Sequence, residues 1–439
     1  MVQNWVMQIS VIGCGYLGAV HAAAMAELGH DVVGVDIDAR KIERLNAGVS
    51  PFFEPGLPEI LDSAMKSGRL RFTTDMAEVS SATVHFVAVG TPQSSDSYAA
   101  DLTYVDAAIT DLIPHVKAGD LIVGKSTVPV GTASRLAQQI EDSGSGASLV
   151  WNPEFLREGY AVKDTISPDR LVYGVANDEQ ADVLDRVYSA TLAAGTPRII
   201  TDYATAELVK VSANAFLATK ISFINAMAEI ADAAGANVTD LADAIGHDNR
   251  IGRRFLGAGV GFGGGCLPKD IRAFAARAEE LGCGESVAFL KEIDAINLRQ
   301  RQKIVDFAIS ALDGSVNEKK IAVLGVTFKP NSDDVRDSPA LDIAVQLNGL
   351  GAHVVATDPE GIENARARHP QLAYEKDTER ALSGADLVIL VTEWTEYRQL
   401  DPIAVKELTR GAAIIDGRNA FDPQIWRNAG WSYKSIGRP

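Results

Sequence analysis

The chain has 439 residues, room for about three domains that each own a core, and 41 lysines and arginines stand against 58 aspartates and glutamates. The resulting charge of −17 argues against a general basic field for nucleic acid or an anionic membrane, while leaving local sites for a small anion open. Three cysteines at unrelated positions argue against a disulfide framework and fit a reducing compartment. With no basic, apolar leader and no bilayer-length apolar run, a cytoplasmic, soluble protein is expected.

Residues 8–36 read as strand, glycine turn, alanine-rich helix and strand. Ile9-Ser-Val-Ile12 leads into Gly13-Cys-Gly-Tyr-Leu-Gly18, and Asp31-Val-Val-Gly-Val-Asp36 follows the helix. This is a dinucleotide-binding fingerprint in its required context: glycines let pyrophosphate approach a helix N-terminus, and Asp36 is placed to take the hydroxyls of a ribose. An acid there repels a 2′-phosphate, so NAD is expected over NADP. Lys41 either contacts the same adenosine or is a solvated lysine at a helix start. Further strands at residues 84–89 and 120–124 place Thr91 and Thr127 just beyond strand ends, where ligands of open α/β sheets sit. Residues 93–100 read as a mobile surface loop. Asn152-Pro-Glu-Phe-Leu-Arg-Glu158 carries acids four residues apart, which would share a face if helical.

Residues 203–234 are helical and apolar nearly all round, the pattern of a buried helix. Lys210 and Asn214 sit one turn apart on it. A buried ammonium is costly unless it is paired or used, so the pair is a candidate for chemistry, a structural Lys210–Glu207 pair being the alternative. The densest signal is Gly257-Ala-Gly-Val-Gly-Phe-Gly-Gly-Gly-Cys-Leu-Pro-Lys-Asp270, a flexible glycine cradle ending in one thiol with a lysine close by. Cys266 is the candidate nucleophile. Cys14 and Cys283 are read as structural. A helix from about residue 271 to 281 and an amphipathic stretch over residues 285–312 follow, and this helical region offers a surface for a homodimer. Strand patterns at residues 320–325, 353–358, 385–391 and 412–416 repeat the order of the N-terminal half without its glycine triplet, so this part should bind a different ligand, a nucleotide sugar, near Phe328, Lys329 and Arg418.

The expected fold is therefore α/β, with two Rossmann-like doubly wound parallel-sheet domains joined by a central helical domain and a long connecting helix. The expected divisions are residues 1–202, 203–312 and 313–439.

Taken together, these motifs with Phe53-Glu-Pro-Gly56, Lys125-Ser-Thr-Val-Pro129 and Asp416-Gly-Arg-Asn419 resemble the UDP-glucose/GDP-mannose dehydrogenase family over nearly the whole chain. The resemblance implies NAD-dependent oxidation of a sugar C6 alcohol to a carboxylate, with UDP-glucose the expected substrate. Cys266 would add to the intermediate aldehyde and carry the thioester that water then opens. It further implies that Lys210 and Asn214 stabilise oxyanions and that Asp270, Thr127 and Glu154 hold or activate water. The cofactor set it implies is Gly13, Gly15, Tyr16, Leu17, Gly18, Asp36, Lys41, Thr91, Thr127, Glu158, Lys269 and Arg336. The implied substrate set is Glu154, Phe155, Leu156, Arg157, Glu158, Lys210, Asn214, Arg250, Phe255, Gly257, Gly259, Gly261, Phe262, Gly263, Phe328, Lys329 and Arg418, with Arg250 reaching across a dimer interface. No metal, nucleic acid or membrane partner is implied. Gly257, Gly265 and Leu267 depart from the family pattern, which bears on sugar or base preference.

Oxidation of GDP-mannose or a UDP-N-acetylhexosamine is the alternative within this chemistry. A one-step hydroxyacid dehydrogenase would leave Cys266 and the third domain without a role. A non-catalytic sensor of NAD or nucleotide sugar would bind without turnover.

Overall fold

The computed structural model describes residues 5–439; the reading of the extreme N-terminus as free of a leader lies partly outside them. The chain divides into two compact units: Met1–Ala213 with Ala276–Leu281, and Asn214–Ala275 with Gly282–Pro439.

The first unit is built on an eight-stranded sheet of β1 (Gln8–Ile12), β2 (Asp31–Val35), β3 (Leu70–Thr73), β4 (Val84–Val87), β5 (Leu121–Gly124), β6 (Ser148–Trp151), β7 (Leu171–Gly174) and β8 (Arg198–Thr201). Their order is β3-β2-β1-β4-β5-β6-β7-β8, parallel except where β6 meets β7. Strands such as Val84-His-Phe-Val87 are buried on both faces, as a helix-covered parallel sheet requires. One face packs on the helix Tyr16–Glu27 through Ala19, Val20, Ala23 and Met25, the other around Ile109, Leu136 and Trp151.

The second unit holds a six-stranded, wholly parallel sheet: β9 (Lys320–Leu324), β10 (His353–Thr357), β11 (Ala373–Tyr374), β12 (Leu387–Leu390), β13 (Ala413–Asp416) and β14 (Ser432–Ser435). Its order β11-β10-β9-β12-β13-β14 repeats that of β3-β2-β1-β4-β5-β6. In both sheets the order reverses beside the first strand, and ligands of such sheets lie beyond the strand ends at that point. The helix Phe289–Ala311 covers one face through Ile304, Val305 and Ala308.

The helix Tyr203–Ala234 occupies the expected residues, but not with the expected burial. Phe216, Phe223 and Ile230 are 65%, 46% and 60% exposed. Spaced seven apart, they fall on one side of an α-helix, so the apolar surface forms an open stripe beside a packed face.

The backbone adds detail at three stretches. Residues 152–158 form a loop, so Glu154 and Glu158 share no helix face. The helix expected from residue 271 begins at Leu267, because Pro268 stands in its first turn, where a missing N–H leaves no helical bond unmade. Residues 93–100 form the expected surface loop, closed by an antiparallel bridge between Gln93 and Ala100 and by the Ser94 amide donating to the Ala99 carbonyl at 2.8 Å.

Candidate active site

In the first unit the three glycines after β1 have different reasons to be glycine. Gly13 has φ of 89°, and a Cβ on it would lie 2.7 Å from Val89; a Cβ on Gly18 would lie 1.7 Å from the Gly13 carbonyl oxygen. Gly15 has neither constraint: its φ is −70°, and nothing lies within 4 Å of where its Cβ would be. It precedes the helix Tyr16–Glu27 and supplies no side-chain cap to the first-turn N–H groups.

Asp36, 9% exposed, follows β2 and accepts the Cys14 amide at 2.8 Å, the Asp38 amide at 3.0 Å and the Lys41 ammonium at 2.7 Å. Lys41 is thus engaged rather than merely solvated. Next to the acid, Ile37 is 91% exposed, an apolar side chain that sequence reading passed over. Thr91 and Thr127 are brought together, the Thr91 hydroxyl donating to the Thr127 carbonyl at 2.7 Å. Tyr16 donates its hydroxyl to Glu54, whose carboxylate also accepts the Gly159 and Ala161 amides at 2.6 and 2.7 Å. Burial pushes the Glu54 carboxyl up against the pull of these donors, and it pushes the Tyr16 phenol up further beside the acid. The clamp ties the segment holding Glu158, itself buried, to the glycine-turn helix.

Within the loop after β6, Glu154 pairs with Lys210 at 2.8 Å and accepts the Leu156 amide at 2.7 Å. Both side chains are largely buried, at 13% and 7% exposed. Glu207 accepts the Gly131 and Ala133 amides at 2.8 and 2.7 Å and so caps the helix Thr132–Asp142. The Phe155 ring carries the Arg170 guanidinium at 3.8 Å on one contact and Lys210 at 5.6 Å on another. Arg157 forks onto Asp164 at 2.8 and 2.7 Å, at the surface. A second buried ammonium lies nearby: Lys125 donates to Asn152 at 3.1 Å and to the Tyr188 hydroxyl at 3.3 Å. Burial pushes it down to about 8, with Glu154 opposing the fall and Lys210 adding to it.

In the second unit Asn214 donates to Asp270 at 2.7 Å, and Lys269 pairs with the other oxygen of the same carboxylate at 2.7 Å. Cys266 is exposed and sits at the N-terminus of the helix Leu267–Glu280, its carbonyl accepting the Asp270 amide at 2.9 Å. That position favours thiolate, because the helix dipole and first-turn N–H groups stabilise negative charge.

The glycine run is a tightly packed loop, not the flexible cradle expected. Added Cβ atoms would meet the Asn297 side chain at 2.3 Å from Gly261, the Asp337 carbonyl at 2.3 Å from Gly263, the Phe328 ring at 2.8 Å from Gly264 and the Arg336 guanidinium at 2.3 Å from Gly265. Asn297 holds both backbone groups of Phe262, at 2.7 and 2.9 Å, and Asn225 accepts the Gly259 amide at 2.9 Å. Gly257 has no such neighbour. Phe255 lies at φ of 65°, a conformation bulky residues seldom adopt. Lys329 lies over the Phe328 ring at 5.2 Å. Arg250 is 89% exposed along its side chain and pairs with Asp248, while Arg336 pairs with Asp334.

Asp358, at the end of β10, stands where Asp36 stands after β2. Its carboxylate is fully engaged: it accepts the Val326, Thr327, Glu360 and Gly361 amides at 2.8 to 3.1 Å and the Trp394 indole at 3.1 Å. Asp358 is thus tied to its own loops, and the turn after β9 lacks the glycine triplet that follows β1.

Three family models match the chain: the NAD binding domain of the UDP-glucose/GDP-mannose dehydrogenase family over residues 7–192, its central domain over 204–299 and its UDP binding domain over 322–423. A UDP-glucose 6-dehydrogenase of Rhizobium meliloti (strain 1021) is 42% identical over 438 residues, covering 99% of this chain and all of the relative. The chain belongs to the UDP-glucose/GDP-mannose dehydrogenase family.

Solved members share its fold. A UDP-glucose dehydrogenase from Pyrobaculum islandicum superposes with a TM-score of 0.91 at 38% identity, covering 100% of this chain and 99% of that one. A UDP-D-ManNAc dehydrogenase from Pyrococcus horikoshii gives 0.86 at 27% identity, over 98% and 99%. As a family member this chain is an NAD-dependent dehydrogenase, and the first unit fits the cofactor: the unexplained openness at Gly15, the uncapped helix start and Asp36 beside exposed Ile37 are what a pyrophosphate, ribose and adenine require. The UDP binding domain match supports a nucleotide sugar as substrate. Among the described residues no helix is long and apolar enough to cross a membrane.

Proposed function

We propose that this family member oxidises UDP-glucose at C6 to UDP-glucuronate, with two NAD+ and one water, through a covalent intermediate on Cys266. The observation that carries the reading is the exposed thiol at a helix N-terminus on a backbone packed too closely to wander. The 42% identical relative named for this activity supports the choice of sugar.

Bound NAD+ supplies the hydride acceptor, once for each oxidation. The chain's own residues supply the rest. Lys210, held by Glu154, and Asn214, held by Asp270, donate to the oxygen that becomes negative when the hydroxyl proton leaves and again when the thiolate adds. The Cys266 sulfur bonds to C6 of the aldehyde, giving a thiohemiacetal. Loss of the second hydride and the hydroxyl proton leaves a thioester. Water held by Glu154, Thr127 and Asp270 then adds to the carbonyl, and the C–S bond breaks to release carboxylate and thiol. We assign the cofactor to Gly13 through Gly18, Asp36, Ile37, Lys41, Thr91, Thr127, Glu158, Lys269 and Arg336, and the nucleotide sugar to the glycine loop, Phe255, Phe328 and Lys329.

We place the work in the cytoplasm, in a homodimer formed across the Phe216, Phe223 and Ile230 stripe. An exposed apolar row at helical spacing supports that surface, and Arg250 supports a contribution to the partner's site by its long exposed side chain. The functional divisions are read as residues 1–202, 203–312 and 313–439.

The test is acid product. Purified protein given NAD+ should form UDP-glucuronate faster than the acids of GDP-mannose or UDP-N-acetylmannosamine, and Cys266→Ala should form none. Equal acid yield from Cys266→Ala would remove the thiol from the mechanism.

A further inference from the structure

Arg418 follows β13, and its guanidinium is engaged by the protein itself. Nε donates to the Val391 carbonyl at 2.8 Å, one terminal nitrogen to the Gly261 carbonyl at 3.1 Å and the other to the Phe328 carbonyl at 2.9 Å. Glu393 lies 3.3 Å from Nε and balances the charge. The side chain is mostly buried, at 15% exposed. Three carbonyls from three separate segments are thereby drawn onto one planar fork: the end of β12, the loop after β9 and the glycine loop that leads to the thiol. A flexible ammonium cannot reproduce that planar geometry.

We infer that Arg418 is a positioning residue for Cys266, fixing the glycine loop to the strand ends of the sheet in the same unit, so that the thiol is held at the start of its helix. The inference rests on the proposed thiol chemistry for its catalytic meaning. Its neighbours agree in direction. Asn297 fixes Phe262, the residue after Gly261, through both backbone groups, and the Gly264 amide donates to the Arg336 carbonyl at 2.9 Å. A Cβ on Gly259 would lie 2.9 Å from the Gly417 carbonyl, and the Val260 amide bonds that same oxygen at 2.9 Å. The loop is thus fastened on both sides of the bond to Arg418. Releasing that bond loosens the turn that precedes Cys266 and takes the sulfur off the helix dipole.

The experiment compares the full-length protein with Arg418→Lys, Arg418→Ala and, independently, Asn297→Asp, which keeps the acceptor for the Phe262 amide but loses the donor to its carbonyl. Iodoacetamide alkylation is followed by mass spectrometry across pH, without substrate or cofactor, using exposed Cys283 in the same molecules as the reference. The account expects the Cys266 profile to move up by about one pH unit, so that its rate falls about tenfold below the thiol pKa while that of Cys283 is unchanged. Amide hydrogen exchange over residues 257–264 should accelerate, and added guanidinium should restore Arg418→Ala in part. If Arg418→Ala fails to fold, the lysine variant and Asn297→Asp carry the comparison. Unchanged alkylation and exchange, with a loss of UDP affinity by calorimetry, would overturn the inference and leave Arg418 a ligand-binding group only. Because these readings need no turnover, they stand apart from whether the chain oxidises UDP-glucose. Where it does, the variants should lose kcat with KM little changed.

Discussion

A glycine can be required by its own backbone, by a neighbour or by something that comes to lie against it. Gly15 and Gly18 separate these cases at the scale of single residues. Gly18→Ala would press a methyl into the Gly13 carbonyl and should not give a stable protein. Gly15→Ala meets nothing in the fold, so its melting temperature should stay at the wild-type value while NAD affinity, by fluorescence titration, drops about tenfold or more as the methyl blocks the pyrophosphate. A Gly15→Ala protein that binds NAD normally would refute that placement.

Lys125 makes one pH-dependent contribution to stability. Its pKa in the folded chain is pushed to about 8 from an ordinary 10.5, so between these values the unfolded chain binds more protons and stability rises with pH. Below about 8 the lysine is charged in both states and its burial costs about 3 kcal/mol. Lys125→Met, which leaves the Tyr188 hydroxyl donating to Asn152 at 2.8 Å, should therefore gain stability over wild type at pH 7 and lose most of that advantage by pH 10.5. Denaturant melts at the two pH values measure it, and a constant difference would contradict the shift.

At the scale of elements, what the sequence disclosed depended on how local the cause was. The helix Tyr203–Ala234 was legible because its composition is helical throughout, and β1 to β2 with their turn because the fingerprint is contiguous. At Asn152 the i,i+4 spacing of Glu154 and Glu158 left the backbone open, and the structure makes it a loop. The start of the cysteine helix was missed because Pro268 looks like a stop unless its place in a first turn is known. Partners were hidden for a different reason. Nothing local to Lys210 points to Glu154, or local to Gly261 to Asn297 and Arg418, since each pairing is long-range. Packing of the glycine loop predicts a graded series. Gly263→Ala, 2.3 Å from the Asp337 carbonyl, should destabilise by about 2–3 kcal/mol, whereas Gly257→Ala should be near neutral, both read from thermal melts. Equal effects would mean the loop is looser than described.

For the whole molecule, the six-stranded sheet repeats the order of the first six positions of the other, but the two have diverged in their acids: Asp36 has Ile37 exposed beside it, and Asp358 is closed by its own loops. That divergence was half legible, through the missing glycine triplet, while the closure of Asp358 by Trp394 was not. The open stripe on the long helix was concealed too, because an all-round apolar pattern does not say which side the chain itself covers. If two chains meet there, Phe223→Asp should shift light-scattering mass toward the monomer, and an unchanged mass would send the interface elsewhere.

The central claim is that one sulfur carries the sugar between its two oxidations. Counting NADH against a limiting amount of UDP-glucose tests this most directly. The account predicts two NADH per UDP-glucose, with no free aldehyde trapped by semicarbazide. One NADH per sugar, with aldehyde accumulating as the end product, would contradict it.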